Sequence, residues 1–231
     1  MTYDLIIVSS STHKDLIRYT QQAIDTCCSE GEVNVILVET GQPYKYKDVN
    51  RYIEYNGEFN YNRALNMGLK YARSDFQILA NNDIIFHPGW SKIGDIMRVN
   101  HYLSASALSN DSRQKWFRRG DYAYEGYFIG WQLAGWCIFT DKALWNKIGK
   151  LSERHTFWFS DNVYGEQLKA EGIPHALICS VHVDHIGSQT LKKLDSRKQL
   201  LYTIHEGRKI KNANSKAIGK GNPKDIQKKL H

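Results

Sequence analysis

The chain has 231 residues, 42% of them hydrophobic and 24% charged, a composition that fits one large soluble α/β domain or two small ones. Its longest apolar runs, Leu5–Val8 and Val35–Val38, are far too short to span a bilayer, and the opening MTYDLIIVSSST has neither a basic n-region nor a small-residue cleavage site. Neither a membrane span nor a signal peptide is expected. The net charge of +7 is unevenly placed: residues 192–231 carry 12 Lys and Arg against 3 Asp and Glu, while residues 1–191 are slightly acidic. Such a tail suits a polyanion or an anionic lipid surface, or serves only to solubilise. The cysteines at 27, 28, 137 and 179 form no C-x-x-C pair, so buried reduced thiols in a cytoplasm (a host's, for a viral protein) are expected.

In chain order, residues 4–8 (DLIIV) predict a buried strand, and SSSTHKD supplies loop and cap chemistry before a helix over 14–28. A second strand is expected at 33–38 (VNVILV), then a Tyr- and Lys-rich connection to about residue 58. Leu65, Gly68, Leu69 and Ala72 share one face of a helix predicted over 61–73, and a third strand follows at 76–80. Residues 100–130 read as strands and long loops, 140–147 and 160–172 as helices, and 175–181 as a strand; beyond Gly207 a loose chain is expected. Alternation of strand and helix in the first half predicts a parallel sheet with right-handed crossovers, whose ligands gather beyond the carboxyl ends of its strands. Ser9–Ser11, Glu39-Thr40 and Asn81–Asp83 all arrive at that edge.

The stretch FQILANNDIIFHPGW (76–90) interrupts an apolar run with two amides and an acid. Burying them costs several kcal/mol unless they find partners, either in a turn or in something that is not protein. Later, GWQLAGWCIFTDKALWNKIGKL, FWFSDNVYGEQLKAEG and HVDHIGS follow in order. Together with the strand-end acid of VETG and the Asn-rich NYNRALNMGLKYARSDFQILANNDIIF, they resemble the nucleotide-sugar glycosyltransferases of GT-A fold, particularly the inverting family 2 type. The resemblance covers residues 4 to about 190. It implies a mixed, mainly parallel Rossmann-like sheet flanked by helices. A nucleotide-sugar half (1–99) and an acceptor half (100–190) would precede a basic C-terminal helix and tail (191–231). Asn81 stands for the first Asp of a DxD element, Glu39 for the usual Asp, and Ser160 for the Glu of an ED pair.

What the resemblance implies for chemistry is specific. Asp83 would ligate a manganese or magnesium ion that acts as a Lewis acid on the leaving diphosphate, with Asn81 or Asn82 orienting its waters or the ribose, and His185 joining as ligand or phosphate contact. Asp161, in the first turn of its helix, would be the base for the attacking hydroxyl; the alternative is a plain helix cap. Ser9, Ser10 and Glu39 would face the nucleoside. A carboxylate can accept uracil N3–H, so a UDP-linked donor is expected. Arg63 could reach a phosphate, and Trp131 and Trp158 could stack on a sugar or base.

For the acceptor, SRQKWFRRGDYAYEGY (112–127) interleaves Arg113, Lys115, Arg118 and Arg119 with aromatic rings, which suits a nucleic-acid strand. DNA carrying a hydroxymethylated base, the substrate of compact phage glycosyltransferases, is the favoured acceptor. A surface glycan or lipid-linked saccharide, reached by peripheral membrane contact through the tail, is the alternative. A non-catalytic sugar- or nucleic-acid-binding module is a further one. A nucleotidyltransferase fits less well, because VSSSTHKD has no glycine to cradle phosphates.

Overall fold

The computed structural model describes residues 1–156, 159–187 and 227–229. Its first half is built from β1 (Thr2–Ser9), α1 (Lys14–Cys28), β2 (Glu32–Glu39), β3 (Arg51–Glu54), α2 (Tyr61–Leu69) and β4 (Phe76–Asn81). Strands β3, β2, β1 and β4 lie side by side and parallel, so the carboxyl ends of β1, β2 and β4 open on one edge. Their interiors are continuous apolar runs because helices cover both faces. Ala23, Ile24 and Cys27 of α1 pack with Leu5, Ile7, Val35 and Leu37, while Ala64 and Leu65 of α2 join Ile6, Val8, Ile36 and Val38. Gly68 lets α2 press onto β1: a Cβ there would lie 2.5 Å from Ile6 Cγ2.

The second half continues the same sheet with β5 (Ile84–Phe86), α3 (Ile93–Val99), β6 (Ser104–Ser109), β7 (Tyr122–Glu125), β8 (Cys137–Asp141), α4 (Ala143–Ile148), α5 (Ser160–Ala170), β9 (His175–His185) and β10 (Gln227–Lys229). Its order is β10-β7-β9-β6-β8-β4-β1-β2-β3, with β8 antiparallel to β4 and β5 paired to the far end of β9. This is the mixed, mainly parallel-cored α/β architecture the sequence predicts.

Boundaries differ in instructive ways. The connection over 42–58 contains β3, whose half-exposed residues show no apolar signature. Helix α2 stops at Leu69 instead of 73, because Lys70–Arg73 turn so that Asp4 can take the Arg73 and Ser74 N–H groups. Strand β9 runs on to His185, four residues past its predicted end. Gln227–Lys229, within the stretch expected to be loose, pair antiparallel with β7. The rest of the basic tail, and with it the expected helix, lies outside the described residues.

A buried polar cluster seals the second half. His175 is held between Ser104 Oγ (2.7 Å from Nδ1) and Ser106 Oγ (3.0 Å from Nε2); Ser104 also meets Tyr164 OH at 2.6 Å. Ser106 in turn accepts the Ala134 N–H at 3.0 Å, pinning the loop before β8. Burial pushes the His175 pKa down to about 3, so the ring is neutral in the native protein. Between that value and the ordinary pKa of about 6.5 the unfolded chain binds more protons, so stability is complete above pH ~6.5 and falls as pH drops toward 3. Chemical denaturation of wild type and His175→Gln from pH 7 to 4 should show the wild-type advantage shrinking by up to a few kcal/mol over that range. A pH-independent difference would place the histidine's burial cost elsewhere.

Candidate functional site

The edge formed by β1, β2 and β4 is lined by a chain of buried polar groups. Glu39, at the end of β2, accepts the Ser11 and Gly41 N–H groups on Oε1 at 2.8 and 2.7 Å, and the Ser11 hydroxyl on Oε2 at 2.6 Å. Tyr46 OH joins Ser11 Oγ (2.7 Å) to Ser9 Oγ (2.9 Å), and Thr20 Oγ1 continues from Ser9 to the Asn82 amide, which donates to it at 3.2 Å. Glu39 therefore clasps the β1–α1 loop, with Ser10 half-buried beside it. Gly41 is required by this closeness, since a Cβ there would sit 2.8 Å from Ser11 N.

Asn81–Asp83 form the turn between β4 and β5, and both amides have protein partners. Asn81 Oδ1 accepts from Tyr61 OH at 2.7 Å, and Asn82 donates to Thr20. Asp83 meets a histidine instead. The β5–β9 pairing sets Ile84 opposite His185, and the Ile186 N–H returns to Asp83 O at 3.0 Å. His185 Nε2 then lies 3.3 Å from Asp83 Oδ1, with the two side chains 12% and 3% exposed. This nitrogen is buried and makes no hydrogen bond among the described residues; the close approach to Asp83 lacks hydrogen-bond geometry. A carboxylate oxygen and a bare imidazole nitrogen at that separation fit adjacent ligands of one divalent cation, with ligand oxygens and water completing its shell. No cluster of three or more metal-ligating side chains occurs among the described residues.

Two consecutive residues tie this pair to Asp161. Trp136 stacks on His185, ring centroids 5.0 Å apart and 11° from parallel, and its carbonyl accepts the Asn81 N–H at 2.8 Å. Its neighbour Gly135 lies against Asp161, so close that a Cβ would stand 2.6 Å from both Cβ and Oδ2 of the acid. Asp161 occupies the first turn of α5 behind Phe159, whose φ of 66° is left-handed. Burial raises the Asp161 pKa above the ordinary carboxylate value, against the pull of its own helix's N–H groups and of Arg113. Tyr61 senses both acids, and burial with their fields raises its pKa.

The remaining expected residues fall into three groups. Arg113 belongs to the site, paired with Asp111 and lying over Trp136 at 5.6 Å. Arg118 lies over Tyr122 of β7, Trp131 packs edge-on to Phe117, and Arg119 lies near His182 of β9, whose pKa is lowered chiefly by burial and further by that cation. Arg63 pairs with Glu153 at 3.0 Å, as part of a strap in which Asn60, the cap of α2, and Asn62 and Asn66 within it hydrogen-bond the 151–155 backbone. Trp158 lies outside the described residues. Tyr61, Asp111, Gly135 and Trp136 were not singled out by sequence reasoning; the two glycines bracketing the loop in GWQLAGW were the available signal.

No family model matches the chain, and no curated protein sequence does. Solved structures do. Residues 1–349 of S. aureus TarS superpose with a TM-score of 0.60 at 10% identity, covering 94% of this chain and 76% of that one. The same protein in complex with UDP-GlcNAc gives 0.61 at 11%, covering 93% and 68%. The fold is that of the GT-A glycosyltransferases. At these identities the likeness is one of architecture, and the chemistry rests on the residues above.

Gly135→Ala should cost about 1–3 kcal/mol in denaturant unfolding, because its methyl has no room beside Asp161. Gly165→Ala, on α5, meets Leu133 only at an ordinary 3.4 Å and should be neutral or stabilising by up to ~1 kcal/mol. Equal effects of the two substitutions would refute this account of the loop.

Proposed function

We propose that the protein transfers a sugar from a nucleoside diphosphate sugar, uridine-linked, to a hydroxyl group. The observation that carries this reading is the Asp83–His185 pair, joined through Gly135 and Trp136 to a separate, partly buried Asp161, at the strand-end edge of a fold shared with a UDP-GlcNAc-binding protein. A binding module has no use for two acids in such different settings. Here one acid is poised beside a ligand nitrogen. The other is desolvated, so that its proton affinity is raised toward that of a working base.

Asp83 and His185 would hold a divalent cation, manganese or magnesium, whose Lewis acidity would offset charge on the leaving diphosphate. Asp161 would accept the proton of the attacking hydroxyl, and displacement from the face opposite the diphosphate would invert the anomeric carbon. The Ser9–Ser11 loop, held in shape by Glu39, would carry the nucleoside, and the Asn81 and Asn82 amides would stiffen the turn that presents Asp83.

The acceptor we favour is a nucleic acid bearing a hydroxymethyl base. Trp116 is 68% exposed at the end of the 3-10 turn Ser112–Trp116, beside Lys115, Arg118 and Arg119, a surface that supplies rings for bases and cations for phosphates.

A binding and hydrolysis screen of nucleotide-sugars with manganese, magnesium or EDTA tests the donor reading. One uridine donor should bind in a metal-dependent way, and Asp83→Ala should abolish that dependence. Failure of every nucleotide-sugar with every metal would sink the proposal. With the donor known, Asp161→Asn should keep donor affinity and lower turnover by roughly 10²–10⁴-fold. Because Asp161 works ionised and its pKa is raised, turnover should fall with decreasing pH through a midpoint above the ordinary carboxylate range of about 4. A profile flat down to pH 4 would remove Asp161 as the base.

A further inference from the structure

Trp136 and Arg113 share an unusual placement. The indole is 7% exposed, and its N–H finds no acceptor among the described residues. One buried donor left unmatched is costly. Here it lies in the ring that stacks on His185, whose own Nε2 is also unmatched. The guanidinium of Arg113 lies over the same indole. Asp111 grips it from one side, with Nε to Oδ1 at 2.9 Å and NH2 to Oδ2 at 3.0 Å. The NH1 group takes no part in that fork.

The chain has gone to some length to place this cation. Gly130, at φ +78°, leaves the space the guanidinium fills: a Cβ there would be 2.1 Å from Cζ and 2.2 Å from NH1. Gln114 pins the loop, accepting the Ser109 N–H at 2.7 Å and donating to Trp131 O at 2.7 Å. Asp111 is itself held, with its pKa lowered chiefly by Arg113, and the preceding Asn110 accepts the His185 N–H at 2.9 Å. An arginine serving only as a surface charge needs no such frame. A planar fork with one edge fixed by a carboxylate, on a side chain still 46% exposed, is suited to a phosphate oxygen.

We propose that Arg113 and the Trp136 indole N–H form a phosphate seat next to the Asp83–His185 pair, and that its occupant is the diphosphate of the donor. This reassigns Arg113 from the acceptor surface, where its neighbours in the sequence would put it, to the leaving group. The seat would supply positive charge and a buried hydrogen bond where the diphosphate gathers charge, without adding to the acids already present. It rests on the nucleotide-sugar reading for the identity of its occupant, and on the Arg113–Trp136 geometry alone for its chemistry.

The test uses the full chain and three probes, uridine, UDP and inorganic pyrophosphate, titrated in manganese by calorimetry. Variants are Arg113→Ala, Arg113→Lys and Trp136→Phe, the last keeping the stack on His185 while removing the N–H; thermal melts confirm that each is folded. Arg113→Ala should weaken UDP and pyrophosphate by about 10- to 100-fold and leave uridine unchanged, and Trp136→Phe should weaken both by several-fold. Lysine should recover little, since it cannot share the fork with Asp111. Unchanged UDP and pyrophosphate affinity in Arg113→Ala overturns the seat and leaves the donor reading intact. Arg113-dependent pyrophosphate binding with no response to either uridine compound supports the seat and counts against the uridine donor. No binding of any probe by the wild type overturns both.

Discussion

Three backbone pairs between β5 and the far end of β9 govern the site. Without them Asp83 is one acid in a turn and His185 one histidine past the end of a strand. With Ile84 opposite His185, the two side chains meet across the join between the halves of the molecule. A two-residue slip in that ladder would move the histidine a full pleat away, and a one-residue slip would turn it to the other face. The register is protected by burial of Ile84 and Phe86 against Val183, and by the Ile186 to Asp83 backbone bond.

Around that ladder, polar residues do two kinds of work that look alike in the sequence. Some hold backbone in place: Asp4 receives the turn after α2, Glu39 clasps the Ser11 loop, and Asn60 capping α2 joins Asn62 and Asn66 within it to strap down residues 151–155 ahead of Asp161. Each is buried and matched to donors or acceptors of the chain itself, which offsets its desolvation. Others are buried with a polar atom left unmatched among the described residues; the His185 Nε2 and the Trp136 N–H are two of these, as are the Trp90 N–H and the Ser180 hydroxyl outside the site. What sets His185 and Trp136 apart is that their rings stack on one another beside Asp83. Asn60, Asn62 and Asn66 bear on the candidate site only indirectly, by fixing the segment that leads toward α5.

Glycine is the other economy of the site. Gly41, Gly130 and Gly135 each stand where a side chain would collide with Ser11, Arg113 or Asp161, respectively. Only at Gly130 is the backbone also left-handed; at the other two the reason is close approach alone. Packed against Gly135, Asp161 loses water on one side, and its proton affinity rises for that reason.

Much of this was legible from the residues alone. The apolar runs of β1, β2 and β4, and the amphipathic periodicity of α1 and α2, determine a parallel α/β sheet, because burial on both faces and on one helical stripe leaves local patterns. The polar strand ends at Ser9–Ser11, Glu39 and Asn81–Asp83 follow from the same reading. What the sequence could not show is anything set by non-local register or by space. Strand β3 has no apolar signature, being an edge strand with half-exposed residues. The last four residues of β9, with His182, Asp184 and His185 among them, look like a loop because their strand character comes from pairing with the distant β5 and, for His182 and Val183, with β6. The basic-aromatic run at 112–127 reads as one surface, yet tertiary packing divides it, drawing Arg113 over Trp136 while Arg118 stays over Tyr122 of β7 and Arg119 lies near His182 of β9. Hydrophobic periodicity is written into neighbouring residues; which acid meets which histidine, and which arginine meets which ring, is decided only when distant segments are brought into register.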